Sequence, residues 1–386
     1  MPGAIIIGGD YQGLGIARSL GQHGIPVCVV DDETCIARTS RFVQQVVRVR
    51  DLGAEGSLLA ALARARQRLG AMRCVLYPTR DETVAAIAAS RESLIDDFLV
   101  PTPGMSAIRH AWDKRQTYRL ASQLSIAIPR TWFPESEDDL ASIPAGEPVI
   151  LKPAIKEHFY ATTHAKAWRA DDRAQLVSAY RRAAGIIPPN EIMVQELIPG
   201  SGQEQYACCA FFRDGHAVAS MTVRRRRQHP SEFGNASTYV ETVALPELEE
   251  PSVRFLRAAG YYGLVEIEYK RDPRDGTYRL LDVNARTWGY HTLGQAAGVN
   301  FPYLLYQDQV GVPVDEVRAR PGVRWIRLHT DVPNAVRDIR AGTQQLREYL
   351  RSLRHVDTEA VYSLSDPLPG LFEIALLPYL AMKRGL

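Results

Sequence analysis

Over the first hundred positions apolar residues come in short, unbroken runs. "AIIIGG" (4–9), "IPVCVVDD" (25–32) and "MRCVLYP" (72–78) are too short for ordinary helices and apolar almost throughout. That pattern predicts parallel strands buried on both faces. Between them, "GLGIARSLGQHG" (13–24) and "SLLAALARARQRLG" (57–70) carry helical spacing and close on glycine. Strands alternating with helices predict a doubly wound α/β unit. The Pro-rich stretch "VPTPGMSAIRHAW" (100–112) then reads as a linker, and "DKRQTYRLASQLS" (113–125) as a helix.

From about residue 147 the rhythm becomes that of antiparallel strands. "PVILKP" (148–153) reads as a strand, 154–164 as a loop, 171–184 as a helix, and "EIMVQELIPG" (191–200) as a strand entering a turn. "QYACCAFFRDGHAVASMTVRRRRQ" (205–228) predicts a hairpin turning at Asp214–Gly215. "GLVEIEYKRDPRDGTYRLLDVNAR" (263–286) predicts a second, turning within "DPRDG". "TLGQAAG" (292–298) and "PYLLYQDQVG" (302–311) suggest covering helices. Beyond 314 the clearest element is helix-like "TQQLREYLRSLR" (343–354).

The second hairpin carries chemistry. Side chains alternate along a strand, so Asp282, Asn284 and Arg286 share one face while Leu281, Val283 and Ala285 share the other. Glu266 and Glu268 point together from the partner strand, and the turn brings Glu268 close to Asp282 and Asn284. Carboxylate and amide oxygens are what a hard cation such as Mg²⁺ takes as ligands, commonly while it bridges to nucleotide phosphates. Arg286 would then face the negative charge such a cation holds. A solvent-exposed strand face with a surface Asp–Arg pair accounts for the same spacing.

Composition narrows the classes. The chain has 46 basic and 44 acidic residues among 386, a formal charge of +2, and so lacks the basic surplus of a general nucleic-acid or membrane-surface binder. Its cysteines (Cys28, Cys35, Cys74, Cys208, Cys209) show no C-x-x-C spacing. Neither a disulfide framework nor a zinc site is expected, and a reducing cytoplasm is. The start "MPGAIIIGGD" has no basic, long-apolar signal-peptide pattern, and "LFEIALLPYLAM" (371–382) is interrupted and too short to span a bilayer.

"LLDVNAR" (280–286) resembles the acid-x-Asn-x-Arg signature of the ATP-grasp superfamily, with Asp282 where that family usually has Glu. The resemblance spans about 1–312 and includes "YPTRDE", "FGNASTYVET" and "AAGVNFPYLLYQD". It implies an α/β and α+β chain in three parts. A Rossmann-like pre-ATP-grasp domain (1–110) precedes a two-lobed nucleotide clamp (111–313), and a mostly helical C-terminal segment (314–386) follows. The cofactors implied are ATP and Mg²⁺, one ion or two, with Mn²⁺ as a substitute. Glu268, Asp282 and Asn284 become the metal ligands, and Lys114 and Lys152 the phosphate-binding lysines. "VQELIPG" (194–200) becomes the adenine hinge, with Gln195 and Glu196 as polar contacts and Leu197 and Ile198 as packing surfaces. Glu204 becomes a ribose ligand. Many relatives cover the phosphates with a glycine-rich loop, whereas "AIKEHFYATTH" (154–164) contains no Gly. His158, Thr162, Thr163 and His164 are the polar residues it offers instead.

"RRRQHP" (225–230) is similar to a segment of predicted carboxylate–amine ligases related to D-aspartate ligase and, more broadly, to the large chain of carbamoyl-phosphate synthase. Strand alternation then turns Arg225 and Arg227 toward the γ-phosphate or substrate carboxylate, and Arg224 and Arg226 toward solvent. With Arg286 these are the expected catalytic arginines. The activity implied is amide-bond formation through an acylphosphate, from small carboxylate and amine substrates such as an amino acid or peptide. No nucleic-acid or membrane partner is implied, and a homodimer fits the family. Three rivals stand beside it: a bicarbonate-activating enzyme like biotin carboxylase, a non-catalytic ATP-binding module, and an NAD-dependent oxidoreductase. The last would use "GGDYQGLG" (8–15) with Asp31 or Asp32 on a ribose.

Overall fold

The computed structural model describes residues 1–52, 55–144, 146–200, 202–229 and 236–384. Pro230 and the start of "FGNASTYVET" therefore lie outside the described residues.

Three of the early apolar runs form parallel strands Gly3–Ile7, Val27–Asp31 and Cys74–Pro78, joined by Gln45–Arg48 at one edge. Alternate residues bury on opposite faces. Ile5, Ile7, Cys28, Val30 and Leu76 meet Leu58, Ala61, Leu62 and Ala65 of helix Glu55–Leu69. Ala4, Ile6, Val27, Val29 and Tyr77 meet Leu14, Ala17 and Leu20 of helix Tyr11–Gly21, in a core continuous with the largest sheet. Double coverage is why these strands are apolar without alternation.

That largest sheet runs in the order Tyr278–Asn284, Gly263–Arg271, Gln205–Arg213, His216–His229, Ala236–Thr242, Arg324–Ile326, Thr358–Glu359, with Val317–Arg318 paired to the fourth. Both predicted hairpins are present. The first turns with Asp214 at φ 53° and Gly215 at φ 80°, the paired positive angles that let a two-residue turn follow the strand twist. The second closes around Asp272, fully buried and held by Arg274 and Arg279. A smaller sheet, Thr131–Trp132, Ile192–Glu196, Val149–Pro153 and Trp168–Ala170, packs on helix Arg173–Ala184.

Two expected irregular stretches are helices. Met105–Trp112 turns the second half of the supposed linker into a helix that buries Ala107, Ile108 and Ala111. The Pro residues stop at 103, so nothing after them opposes helix formation. Lys156–Thr163 turns the supposed loop into a helix ending at His164 in the left-handed conformation, φ 51°. Without glycine, its backbone has the ordinary helical preference.

The arginine run departs from simple alternation. Arg225 opposes Val240 and Arg227 opposes Tyr239, leaving Arg226 as the extra residue of a β-bulge. The bulge turns Arg227 away from the face used by Arg225. Arg227 makes a bidentate ion pair with fully buried Asp331, at 2.8 Å through both nitrogens, and lies over the rings of Tyr239 and Tyr349. Arg226 and Arg224 are half-buried rather than solvated: Arg226 pairs with Glu241 and Arg224 donates to the Gln203 carbonyl. The C-terminal segment thus supplies sheet strands and a carboxylate for the run. It also returns to the N-terminal unit, where Asp366 accepts from Arg18, Ser40 and the Arg41 amide.

Removing one member of a buried pair strands the other charge. Asp331→Ala is expected to lower unfolding free energy by about 3 kcal/mol in urea titration. The double variant Asp331→Leu/Arg227→Met should recover most of that loss; a single variant as stable as wild type would show the pair contributes nothing.

Candidate functional site

The second hairpin places its polar residues in direct register. Glu266 opposes Asn284 and Glu268 opposes Asp282, each on the same strand face. The Asn284 amide donates to Glu266 at 3.1 Å and to Glu268 at 3.2 Å. Its carbonyl oxygen accepts from Arg286 at 3.2 Å. This face lines a cavity, not bulk water, together with Tyr11, Asp81, Lys114, Lys156, Lys166 and Arg225.

Concentrated acids require compensation, and cations from four elements supply it. Lys114, first residue of helix Lys114–Gln123, ion-pairs with Asp282. Arg225 lies 3.2 Å from Glu268. Arg286 grips Asp81 at 2.7 Å, and Lys156 approaches the same carboxylate at 3.5 Å. Asp81 opens helix Asp81–Ala89, where the exposed amides favour an anion. Burial would raise its proton affinity, but Arg286 and then Lys156 outweigh it and hold the carboxyl well below the usual range. Asp282 behaves likewise: Lys114 overcomes the effect of burial. Glu266 does not. Burial and the adjacent Glu268 charge push it up to about 7, against the pull of Arg225. Its other oxygen accepts from the Tyr290 hydroxyl.

The other expected residues distribute unevenly. Lys152, one residue before the end of strand Val149–Pro153, is buried behind the cavity, where it donates to the Tyr118 hydroxyl at 2.6 Å. That hydroxyl in turn donates to the Leu281 carbonyl of the hairpin. Leu197 and Ile198 line a second cavity between the two antiparallel sheets, with Glu196, Gly202, Gln205 and Lys270. Glu196 faces it with its carboxylate already bound by Arg130 and Arg274. Gln195 points the other way and donates to Thr131, as its neighbour in a strand must. Glu204 sits on the short turn Gly202–Glu204, 3.7 Å from Arg224. Arg227 is absent from both cavities for the reason given above. His158 pairs with Glu191 while Thr162 and His164 are exposed, and Thr163 binds the Phe159 carbonyl of its own helix. None of these four lines the first cavity.

Several contributors carried little signal. Asp81 and Tyr11 come from the N-terminal unit, some two hundred residues from the hairpin they face. Lys156, Glu157 and Tyr160 come from the segment expected to be a loop, and Lys166 from just beyond it. Asp31 and Asp32, the ribose candidates of the dinucleotide reading, are both held by Arg80, and Asp31 also by the Gly9 amide.

Among the described residues no group of three His, Cys, Asp or Glu side chains is arranged as a closed metal centre. The donors a hard cation could use are the oxygens of Glu268, Asp282 and Asn284, with Glu266 behind them. That donor set fits: anionic oxygen ligands, open to a cavity, two of them balanced by ion pairs that an incoming cation can replace.

A parallel-sheet unit and two further sheets, the larger of which ends in the acid-lined hairpin, make a mixed α/β fold consistent with ATP-grasp architecture. The similarities to known proteins are distant. A family model described as "ATP-grasp in the biosynthetic pathway with Ter operon" matches residues 189–330. D-aspartate ligase from Enterococcus faecium (strain Aus0004) is 23% identical over 325 residues, 79% of this chain and 76% of the relative. The crystal structure of L-amino acid ligase from Bacillus licheniformis matches with TM-score 0.62 and 16% identity, covering 80% of this chain and 74% of that one. The biotin carboxylase domain of Hydrogenobacter thermophilus 2-oxoglutarate carboxylase, solved with MgADP and bicarbonate, matches with TM-score 0.65 and 13% identity over 83% and 73%. Among the described residues no helix is long and apolar enough to cross a membrane.

The raised Glu266 gives a signed pH prediction. Between pH 4.5 and 7 the folded chain keeps a proton that the unfolded chain has released, so this residue costs stability as pH rises through that window. Without added divalent ion, Glu266→Gln should be more stable than wild type by roughly 3 kcal/mol at pH 8 and indistinguishable near pH 4. Parallel stability–pH curves for the two proteins would remove the assignment.

Proposed function

We propose that the chain is an ATP-dependent carboxylate–amine ligase. The observation that carries this is the register of the second hairpin, which sets Glu268, Asp282 and Asn284 on one cavity face beneath Lys114, Arg225 and Arg286. A face that presents both metal-type oxygens and several fixed cations suits a metal–polyphosphate complex better than either charge alone. The ligase names of two relatives, D-aspartate ligase and L-amino acid ligase, support the reaction class.

In this reading Glu268, Asp282 and Asn284 hold Mg²⁺, which when bound neutralises phosphate charge. Leu197 and Ile198 pack on adenine in the second cavity, Lys114 orients the phosphates, and Lys152 adds positive charge from behind through its bond to Tyr118. A substrate carboxylate oxygen attacks the γ-phosphorus, the bond to the β-phosphate oxygen breaks, and ADP leaves. The amine nitrogen then attacks the acylphosphate carbon, phosphate departs, and the nitrogen loses a proton to give the amide. Phosphoryl transfer asks the protein chiefly for positioning and charge. Arg286, fixed by Asp81 and aimed past Asn284, is suited to the equatorial oxygens, and Arg225 to the incoming anion. A cytoplasmic location belongs to the same proposal.

The test is an ADP-release screen of amino acids and short peptides, alone and paired with amines, with product mass determined. ADP formed only with a carboxylate and an amine together, with an amide product, is the expected result. ADP formed with bicarbonate alone would instead assign a carboxylase-like activity. Asn284→Ala, which deletes one metal oxygen from a strand end, should lower kcat at least a hundredfold while leaving the melting temperature within a few degrees. Undiminished turnover would refute the metal assignment.

A further inference from the structure

Among the described residues five cations line the first cavity: Lys114, Lys156, Lys166, Arg225 and Arg286. Four of them are engaged, Lys114 by Asp282, Lys156 and Arg286 by Asp81, and Arg225 by Glu268. Among the described residues Lys166 has no carboxylate within ion-pair distance, although it lies in the field of Glu268 and Asp282 on one side and of Lys156 and Arg225 on the other. It stands on the segment between helix Lys156–Thr163 and strand Trp168–Ala170, two residues past the left-handed cap at His164. That cap ends the helix and turns the chain back over the cavity.

We infer that Lys166 is a ligand of the terminal phosphoryl group of the nucleotide, presented by a helical cover that has no glycine backbone to offer. The inference rests on the functional reading above and adds a residue to it. A glycine-rich cover binds phosphate through amides that a close-packed turn exposes. Beyond its first turn, which here carries the acidic Glu157, a helix spends its amides on its own hydrogen bonds, so the far end of a cover of this kind needs a side chain to supply the positive charge. Lys156 is tied to Asp81 and His158 to Glu191, which leaves Lys166. Crowding by the surrounding chain draws its ammonium down to about 8, so it remains charged at neutral pH without a resident partner. An ammonium in that state gains most from a dianionic oxygen cluster arriving beside it.

Calorimetry on the full chain with Mg²⁺ separates the terminal phosphate from the rest of the nucleotide. The probes are ADP and the β,γ-imido analogue of ATP, titrated into wild type, Lys166→Met, Lys166→Gln and Lys166→Arg. Expected is a loss of about ten- to a hundredfold in affinity for the triphosphate analogue in the Met and Gln variants. ADP affinity should stay within about threefold of wild type, and Arg should restore most of the loss. Equal losses for both nucleotides, no loss for either, or a change confined to the carboxylate KM would overturn the inference while leaving the ligase reading intact. Unfolding of both neutral variants would overturn it as well, since a cation awaiting a ligand holds no native contact. A wild-type protein that binds neither nucleotide would instead remove the functional reading itself.

Discussion

The structure turns on a crowding of like charge. Glu266, Glu268 and Asp282 are brought within one hairpin by backbone pairing that the side chains themselves oppose. Burial, and after it the charge of Glu268, pushes the Glu266 carboxyl up to about 7. The backbone ladder and the apolar face of the same strands, Ile267, Tyr269, Leu280 and Val283, hold them there. Around them three nearby segments contribute cations: a helix start with Lys114, a bulged strand with Arg225, the hairpin's own exit with Arg286. Such an arrangement is costly for a scaffold and intelligible for a site, because the acids and the cations can part to opposite ends of one bound metal–phosphate group.

The same logic explains why the N-terminal unit and the C-terminal segment close on the hairpin. Arg286 would be a loose cation at a strand end without Asp81, and Asp81 is delivered by a helix of the parallel-sheet unit. The arginine run would repel itself without Asp331 and Glu241, one of which comes from beyond residue 314. Each remote segment therefore fixes the direction of a charge that the hairpin strands alone could not fix. Asp366, binding Arg18 and Ser40, then ties the C-terminal segment to the first helix.

Much of this was legible in the sequence where local pattern and tertiary demand agree. The buried strands at 4–7 and 27–30 announce themselves because coverage on both faces leaves no polar position. The hairpins announce themselves through Asp214–Gly215 and "DPRDG", turns whose chemistry admits few alternatives. Glu268, Asp282 and Asn284 could be grouped because period-two alternation and one turn suffice to bring them together. What could not be read is whatever depends on an interruption or on distance. A single extra residue at Arg226 reverses the facing of Arg227, and nothing in four consecutive arginines marks where the bulge falls. Asp81 and Lys166 meet the hairpin only through packing, to which no sequence interval points.

The segment 154–166 departs most from what the resemblance implies. A cover built of glycine binds anions by backbone and is indifferent to what lies beneath it. This cover is a helix with the turn that follows it; the helix projects Lys156, Glu157 and Tyr160 and the turn Lys166 into the cavity, while the helical backbone past its first turn is consumed by its own hydrogen bonds. Glu157 accepts from the Trp112 indole, so the helix is also docked through a side chain onto Met105–Trp112. A cover that holds both its ligand and its hinge by side chains can distinguish what occupies the cavity, because each contact has a fixed charge and reach. Under the proposed reading, a cover without glycine takes its selectivity from the identity of four side chains rather than from the shape of a loop.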